Sequence, residues 1–156
     1  MKLIVACDTK GGIGYENKLP WSKIEGDLPR FKQLTTGKKV IMGRKTFESL
    51  PVKPLPDRKN YVLSKNQVKV EPGKLGVMSF SNLELMKNVI DDDCWIIGGS
   101  QVIKACWEMI DEVHLTKTLT EYTCDVFIDL LYLKQNFNMI NEEQNNDHVY
   151  QIWKRK

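Results

Sequence analysis

Residues 40–50 read VIMGRKTFESL and residues 95–102 read WIIGGSQV. Each stretch opens with a short unbroken run of large apolar side chains, the pattern of a strand covered on both faces. Each run stops at glycine, Gly43 in the first and Gly98 with Gly99 in the second, and helix-compatible residues follow at once. A strand that enters a helix through glycine leaves unpaired N–H groups and the positive end of the helix dipole at the C-terminal edge of the sheet. Open α/β sheets hold their ligands at that edge. Two such turns, one of them carrying Arg44 and Lys45, point to a ligand with several phosphates. The competing reading, that the glycines only permit tight turns, stands beside it.

The pattern repeats outward from these two turns. Leu3 to Cys7 is another continuous apolar run and reads as a central strand, while the glycines at 11, 12 and 14 open a polar stretch to Lys18 that reads as a mobile loop. Leu28, Phe31 and Leu34 recur at helical spacing after Asp27, with Pro29 in the first turn and Gly37 beyond the end, so a helix is expected over residues 27–36. A short helical segment is expected from Arg44 to Leu50, strands at 60–63 and 76–79, and an amphipathic helix through Leu83, Met86, Val89 and Ile90 capped by Ser81 or Asn82. A helix through Val102, Cys106 and Ile110 is expected next, then a strand over 113–118 and a terminal hairpin of 137–140 with 149–153 around a solvated turn at 142–147. The expected fold class is α/β: a single domain over 1–156 with a central, mostly parallel sheet of about eight strands, a C-terminal antiparallel hairpin and about four flanking helices.

Composition bounds the function. The 156 residues are 42% hydrophobic and 28% charged, with a formal net charge of +3, too mild a surplus to point to nucleic acid. No apolar run approaches the ~20 residues of a membrane helix, and the start has no signal-peptide pattern, so a cytoplasmic chain is expected. The four cysteines form no CxxC pair, and the two histidines make a histidine-rich metal site improbable and remove the commonest general base. No metal is therefore expected. Neither GxxxxGK[ST] nor a complete GxGxxG occurs, since Asn17 stands where Gly12 and Gly14 would need a third glycine.

Any acid or base must then come from elsewhere than histidine. Asp27, between Leu19, Pro20, Trp21 on one side and Leu28, Phe31 on the other, reads either as a helix cap or as a carboxylate in an aromatic-lined cleft that grips an amidine-like heterocycle through two hydrogen bonds. Arg58, behind Pro54, Leu55, Pro56 and Asp57, is held by a proline-stiffened turn and suits a carboxylate ligand, or is a solvated arginine.

The ordered set Ile13, Gly14, Glu16, Asn17; Leu19, Pro20, Trp21; Asp27, Leu28, Phe31; Val40 to Arg44 with Thr46, Glu48 and Ser49; Pro54, Leu55, Pro56, Arg58; Ile97, Gly98, Gly99; and Thr116 resembles dihydrofolate reductase. The likeness runs from Leu3 to about Phe127, and the terminal hairpin also fits.

The resemblance implies NADPH-dependent reduction of 7,8-dihydrofolate to 5,6,7,8-tetrahydrofolate, in support of one-carbon metabolism and thymidylate synthesis, by a monomer with a small-molecule substrate and no nucleic-acid partner. It implies that Asp27 binds the pterin N3 and 2-amino group with Thr116 in support. Val5, Ala6, Leu28, Phe31, Leu50 and Leu55 would line the cleft, and Arg58 would hold the glutamate carboxylate. Gly43, Thr46 and residues 98–102, including Ser100, Gln101 and Val102, would hold the cofactor diphosphate. Arg44, Lys45, Ser64 and Lys65 would stand near its 2′-phosphate, with Leu63 and Ile97 also in the cofactor site. Ala6, Ile13 and Gly14 would border nicotinamide, with Asn17 also in the cofactor site. The loop over 11–24 would close the site, with Leu19 at its tip and Trp21 beside a water that protonates N5. Ile103 stands where the family commonly has an aromatic, and the segment after Lys65 carries no family anchor. A related pyrimidine-nucleotide reductase would lack Asp27 and Arg58 in these roles, and a non-catalytic nucleotide- or RNA-binding module would not need the cleft.

Overall fold

The computed structural model describes residues 1–70 and 73–156. The apolar run at the start is strand β1, Lys2–Cys7, followed by a short strand β2, Gly12–Gly14, and helix α1, Asp27–Thr35. The two glycine-terminated runs are β3, Lys39–Gly43, leading into α2, Arg44–Ser49, and later β6, Cys94–Gly98, leading into α4, Ser100–Cys106. Between them lie β4, Lys59–Leu63, β5, Val77–Phe80, and α3, Leu83–Met86. The chain ends with β7, Glu112–Thr118, β8, Val126–Phe127, α5, Leu130–Asn136, β9, Phe137–Gln144, and β10, His148–Arg155.

Eight strands form one sheet in the order β5-β4-β3-β6-β1-β7-β10-β9. The ladders from β5 across to β7 are parallel, and the two that β10 makes with β7 and β9 are antiparallel. The central apolar runs are thus buried on both faces, as their lack of alternation requires. One face packs Leu3, Ile41, Ile96, Val102, Ile103 and Leu133 beneath α3, α4 and α5. The other packs Val40, Met42, Phe47, Val62 and Trp95 with Leu34, under α1 and α2. No helix among the described residues is long and apolar enough to cross a membrane.

Five local expectations are corrected. The stretch opened by Gly11 is regular as far as Gly14, because β2 pairs with β8 and a Cβ at Gly12 would lie 2.3 Å from Cys124 Sγ, an approach only glycine allows. The third helix stops at Met86, short of Val89 and Ile90, and the fourth gives way to a 3-10 turn at Trp107–Met109. The fifth helix, α5, has a signal in the sequence that the hairpin pattern masked: the Asp129 side chain accepts from the Tyr132 N–H at 2.9 Å, capping a Leu130, Leu133, Phe137 stripe. Glu142, Glu143 and Gln144 belong to β9, so the terminal turn is confined to 145–147.

Candidate active site

The parallel pairing of β1 with β7 sets Ala6 opposite Thr116, and β10 sets Tyr150 on the other side of Thr116. Helix α1 lies across this face and brings its first residue, Asp27, over the strand. The Thr116 hydroxyl, buried at 2% exposure, donates to Asp27 Oδ1 at 2.8 Å. Arg30 Nη1 in turn donates to Thr116 Oγ1 at 3.4 Å. The helix cap is Gly26, at φ 82°, and Asp27 makes no capping bond. That corrects the cap reading: a left-handed residue is needed to turn the chain into α1, and with glycine filling it the carboxylate is left for other work.

Leu28, next to Asp27 on α1, is 69% exposed, and Leu19 on the preceding loop is 63% exposed, so both leave apolar surface open. Phe31, Leu50 and Leu55 are half-buried on the same side of the sheet, the two leucines packing on the second core. Trp21 is buried, edge-on to Tyr122 at 5.7 Å between ring centres. Val5 departs from the expected lining: strand alternation turns its side chain to the opposite face, where it packs against the first core, so only its backbone borders this side.

Arg58 closes the other end. Its Nη1 donates to Thr35 Oγ1 at 3.0 Å and its Nε to the Pro56 carbonyl at 2.8 Å, while its guanidinium carbon stands 5.7 Å from the centre of the Phe31 ring. Burial lowers its pKa from the usual guanidinium value, with Asp57 opposing. Buried Asn60, which sequence reading left as an ordinary strand residue, fixes this turn by accepting from Leu55 N–H and donating to the carbonyls of Leu55 and Arg58. Asp27 and Thr35 are eight residues apart on α1, or about 12 Å of helix rise. A carboxylate and a guanidinium thus stand at the two ends of α1, with exposed Leu28 and half-buried Phe31 between them.

The two glycine turns stand side by side at the sheet edge, with Met42 in register with Gly98 and Gly43 with Leu63. Their backbones are closely approached: a Cβ would meet Val102 Cγ2 at 3.3 Å from Gly43 and Thr46 Oγ1 at 3.4 Å from Gly99. Gly98 has φ 132°, and the Gly98–Gly99 peptide is cis. Ile97 and Ser100 are half-buried, Gln101 is exposed and Val102 is buried. A ring of backbone from Leu63, Gly43 and Gly98 with the Thr46 hydroxyl between them is a cradle of the kind a diphosphate fits. Arg44 is not the free cation its sequence context suggested, since Nη1 reaches both Glu48 oxygens at 3.0 Å, one turn along α2. Lys45 and Lys65 are exposed, and the Ser64 hydroxyl donates to the Asn66 carbonyl at 2.7 Å. The segment after Lys65 carries Lys69 to the wall of a cavity of about 460 Å³ shared with Arg44 and Lys53. Ile103 lies in the core, at 1% exposure, rather than at this edge.

The loop between β1 and α1 is pinned by three carboxylates. Buried Asp8, a residue that sequence reading missed, accepts from the N–H groups of Gly12 at 2.8 Å, Lys10 at 2.9 Å and Tyr122 at 3.0 Å. Burial pushes its pKa up, but those N–H groups and the Cys124 thiol outweigh it and hold the carboxyl below its usual value. Glu16 N–H donates to Asp125 at 3.0 Å, with Glu16 and Asn17 both at positive φ, and Glu25 N–H donates to Asp147 at 3.1 Å. Ile13 packs on the first core, and Gly14 lies against Val126. Among the described residues no cluster of His, Cys, Asp and Glu could hold a metal ion.

A family profile described as dihydrofolate reductase matches residues 1–154. The chain is 35% identical over 164 residues to dihydrofolate reductase type 8 of Escherichia coli, covering 98% of this chain and 94% of that protein. It is 42% identical over 134 residues to the bifunctional dihydrofolate reductase-thymidylate synthase of Paramecium tetraurelia, covering 81% of this chain but only 28% of that longer protein. Among solved structures it resembles dihydrofolate reductase from Enterococcus faecalis complexed with NADP(H) and RAB-propyl, with a TM-score of 0.81 at 28% identity, covering 99% of this chain and 95% of that one.

Proposed function

The chain belongs to the dihydrofolate reductase family, and from that premise we propose that it reduces 7,8-dihydrofolate to 5,6,7,8-tetrahydrofolate at the cleft between Asp27 and Arg58, with NADPH as cofactor. The observation that carries this reading is the Asp27–Thr116 pair. The carboxylate is held on one oxygen by the Thr116 hydroxyl at 2.8 Å and accepts no hydrogen bond on Oδ2 among the described residues, so it presents an acceptor to the open side.

In this reading Asp27 takes the pterin 2-amino group and N3–H, two donors in a fork that one carboxylate matches. Ala6, Leu28, Phe31, Leu50 and Leu55 cover the pterin and benzoyl rings, and exposed Leu19 is placed to cover them from the loop. Arg58, already oriented by Thr35 and Pro56, keeps donors for the glutamate carboxylate at the far end of the cleft. The glycine cradle with Thr46 fits the cofactor diphosphate, and Arg44, Lys45, Ser64 and Lys65 are the groups for its 2′-phosphate. Ile13 and Gly14 would border the nicotinamide, and Asn17, Leu63, Ile97 and residues 100–102 the rest of the cofactor. Bound NADPH supplies the hydride that reaches pterin C6. The chain's own part is alignment of the two rings and exclusion of bulk water.

N5 must also gain a proton. Asp27 is committed to N3 and the amino group, so water admitted beside Leu19 and Trp21 is the direct donor, while the Asp27 charge favours the protonated pterin. Residues 1–156 would act as one domain and as a monomer, which size-exclusion chromatography tests. A reducing, cytoplasmic setting is supported by the four cysteines, all of them free thiols. No observation favours a pyrimidine-nucleotide reductase or a non-catalytic module. The deciding experiment is loss of NADPH absorbance on adding dihydrofolate: oxidation dependent on dihydrofolate is expected, and its absence with correctly folded protein overturns the reading.

A further inference from the structure

Arg30 stands one turn along α1 from Asp27 and has no role in the reading above. It is half-buried and forms no ion pair among the described residues. Its guanidinium carbon lies 3.9 Å from the centre of the Tyr150 ring, and the Tyr150 hydroxyl is itself held by His114 Nδ1. An arginine lying on an aromatic face is fixed in orientation without being neutralised. From that seat Nη1 reaches Thr116 Oγ1 at 3.4 Å.

A threonine hydroxyl has one proton and two lone pairs, whereas a guanidinium can only donate. With Arg30 on the oxygen, the Thr116 proton is directed to Asp27 Oδ1, 2.8 Å away. A cationic donor on that oxygen also polarises the O–H, so the guanidinium–hydroxyl–carboxylate chain strengthens along its length. An arginine paired directly with Asp27 would occupy the fork that the substrate needs. Relayed through Thr116, the positive charge steadies the carboxylate and leaves Oδ2 open.

We propose that Arg30 is a positioning residue: seated on Tyr150, it sets the direction of the Thr116 hydroxyl and through it the presentation of Asp27 to the amidine edge of the substrate. The inference rests on the dihydrofolate reading of the cleft. Its test uses the full chain, with Arg30→Met, which keeps the stem over Tyr150 and removes the donors, Arg30→Lys, which keeps charge and a donor, and both Thr116→Val and the double variant Arg30→Met/Thr116→Val. The readouts are KM for dihydrofolate, KM for NADPH, thermal midpoint, and affinity for a 2,4-diaminopyrimidine as a probe of Asp27.

The contact is long for an N–H···O bond, so Arg30→Met should weaken diaminopyrimidine binding and raise KM for dihydrofolate about three- to tenfold. KM for NADPH should not move, Arg30→Lys should recover most of the loss, and adding Arg30→Met to Thr116→Val should cost less than about twofold more. Unchanged binding in Arg30→Met, or an equal loss in the Thr116→Val background, overturns the proposal, as does a parallel loss of NADPH affinity with a lowered midpoint. If the Met variant does not fold, Arg30→Gln, which keeps a donor but no charge, carries the same comparison. A wild-type chain that binds the diaminopyrimidine but does not oxidise NADPH with dihydrofolate would sink the functional reading while leaving the Arg30 comparison intact.

Discussion

Replacing Asp27 by asparagine removes a charge at nearly constant volume, and its cost divides cleanly between fold and function. Gly26 is the cap of α1, so no capping bond is lost. What the fold loses is a carboxylate in the first helical turn and the charge on the acceptor of the Thr116 hydroxyl bond, together about 1–2 kcal/mol at this half-exposed site. The asparagine Oδ1 can still accept from Thr116, and that choice points its Nδ2 into the cleft. The arm that faced the pterin as Oδ2 then becomes a donor, opposed to one of the two substrate donors, while the contact left on Oδ1 loses its charge, so one bond fails outright and the other weakens. At about 1.5 kcal/mol or more for each charge-assisted bond, kcat/KM for dihydrofolate should fall by a hundredfold or more at neutral pH. Part should return at acid pH, where the substrate arrives already protonated. Steady-state NADPH oxidation from about pH 5 to 8, with a thermal melt of the same preparation, checks both halves. An asparagine variant with wild-type kcat/KM at neutral pH would refute the reasoning and leave Asp27 without a role in the cleft.

Arg58→Leu should weaken folate binding about tenfold or beyond and leave small inhibitors without a glutamate almost unchanged, measured by competitive inhibition. Equal losses for both would assign Arg58 to holding the Pro56 turn against Thr35. Arg44→Ala with Lys45→Ala should raise KM for NADPH steeply while barely moving that for NADH, and Glu48→Gln, which frees Arg44, should lower KM for NADPH about two- to fivefold. A NADPH constant indifferent to Glu48 would take Arg44 out of the 2′-phosphate site. Burial holds the His114 pKa below its usual value, with Glu112 opposing, so the unfolded chain takes up that proton first. Stability should therefore be full above about pH 6.5 and decline as the pH falls below it, with a shallower decline in His114→Gln, followed by the urea midpoint.

How much of this could be read without coordinates depended on the range over which each signal acts. Strands buried on both faces announce themselves by composition, which is why the runs ending at Cys7, Gly43 and Gly98 lie within a residue or two of their expected ends. Helix α1 followed from Pro29 and Gly37, and its start at Asp27 was expected. Helix α5 was missed because Asp129 and its leucines precede a strong strand pattern, and in a chain of this length the terminal hairpin drew that reading. The site residues rest on family order, because chemistry at a single position says little: Asp27 as a cap and Asp27 as a ligand use the same residue at the same spacing. The cap position of Gly26, the absence of a capping bond and the Thr116 partner separate them.

The polar groups that the sequence pattern does not mark share one property, that their partners are backbone N–H and C=O groups, distant in the chain for Asp8, Asp125 and Asp147 and local for Asn60. Asp8 takes the N–H of Tyr122, Asp125 that of Glu16, Asp147 that of Glu25, and Asn60 bridges Leu55 and Arg58. A backbone partner has no residue type and so leaves no mark in the sequence, whereas a side-chain partner such as Thr116 for Asp27 does. The loop between β1 and α1 is held at its beginning, middle and end by carboxylates, in addition to the packing of Ile13, Trp21 and Ile24, and a carboxylate bonded to one or two N–H groups at the surface is cheaply exchanged with water. Asp8, buried and with three N–H donors, is the exception, which makes the start of the loop its fixed end and leaves Leu19, 63% exposed between the Asp125 and Asp147 contacts, as its least anchored side chain.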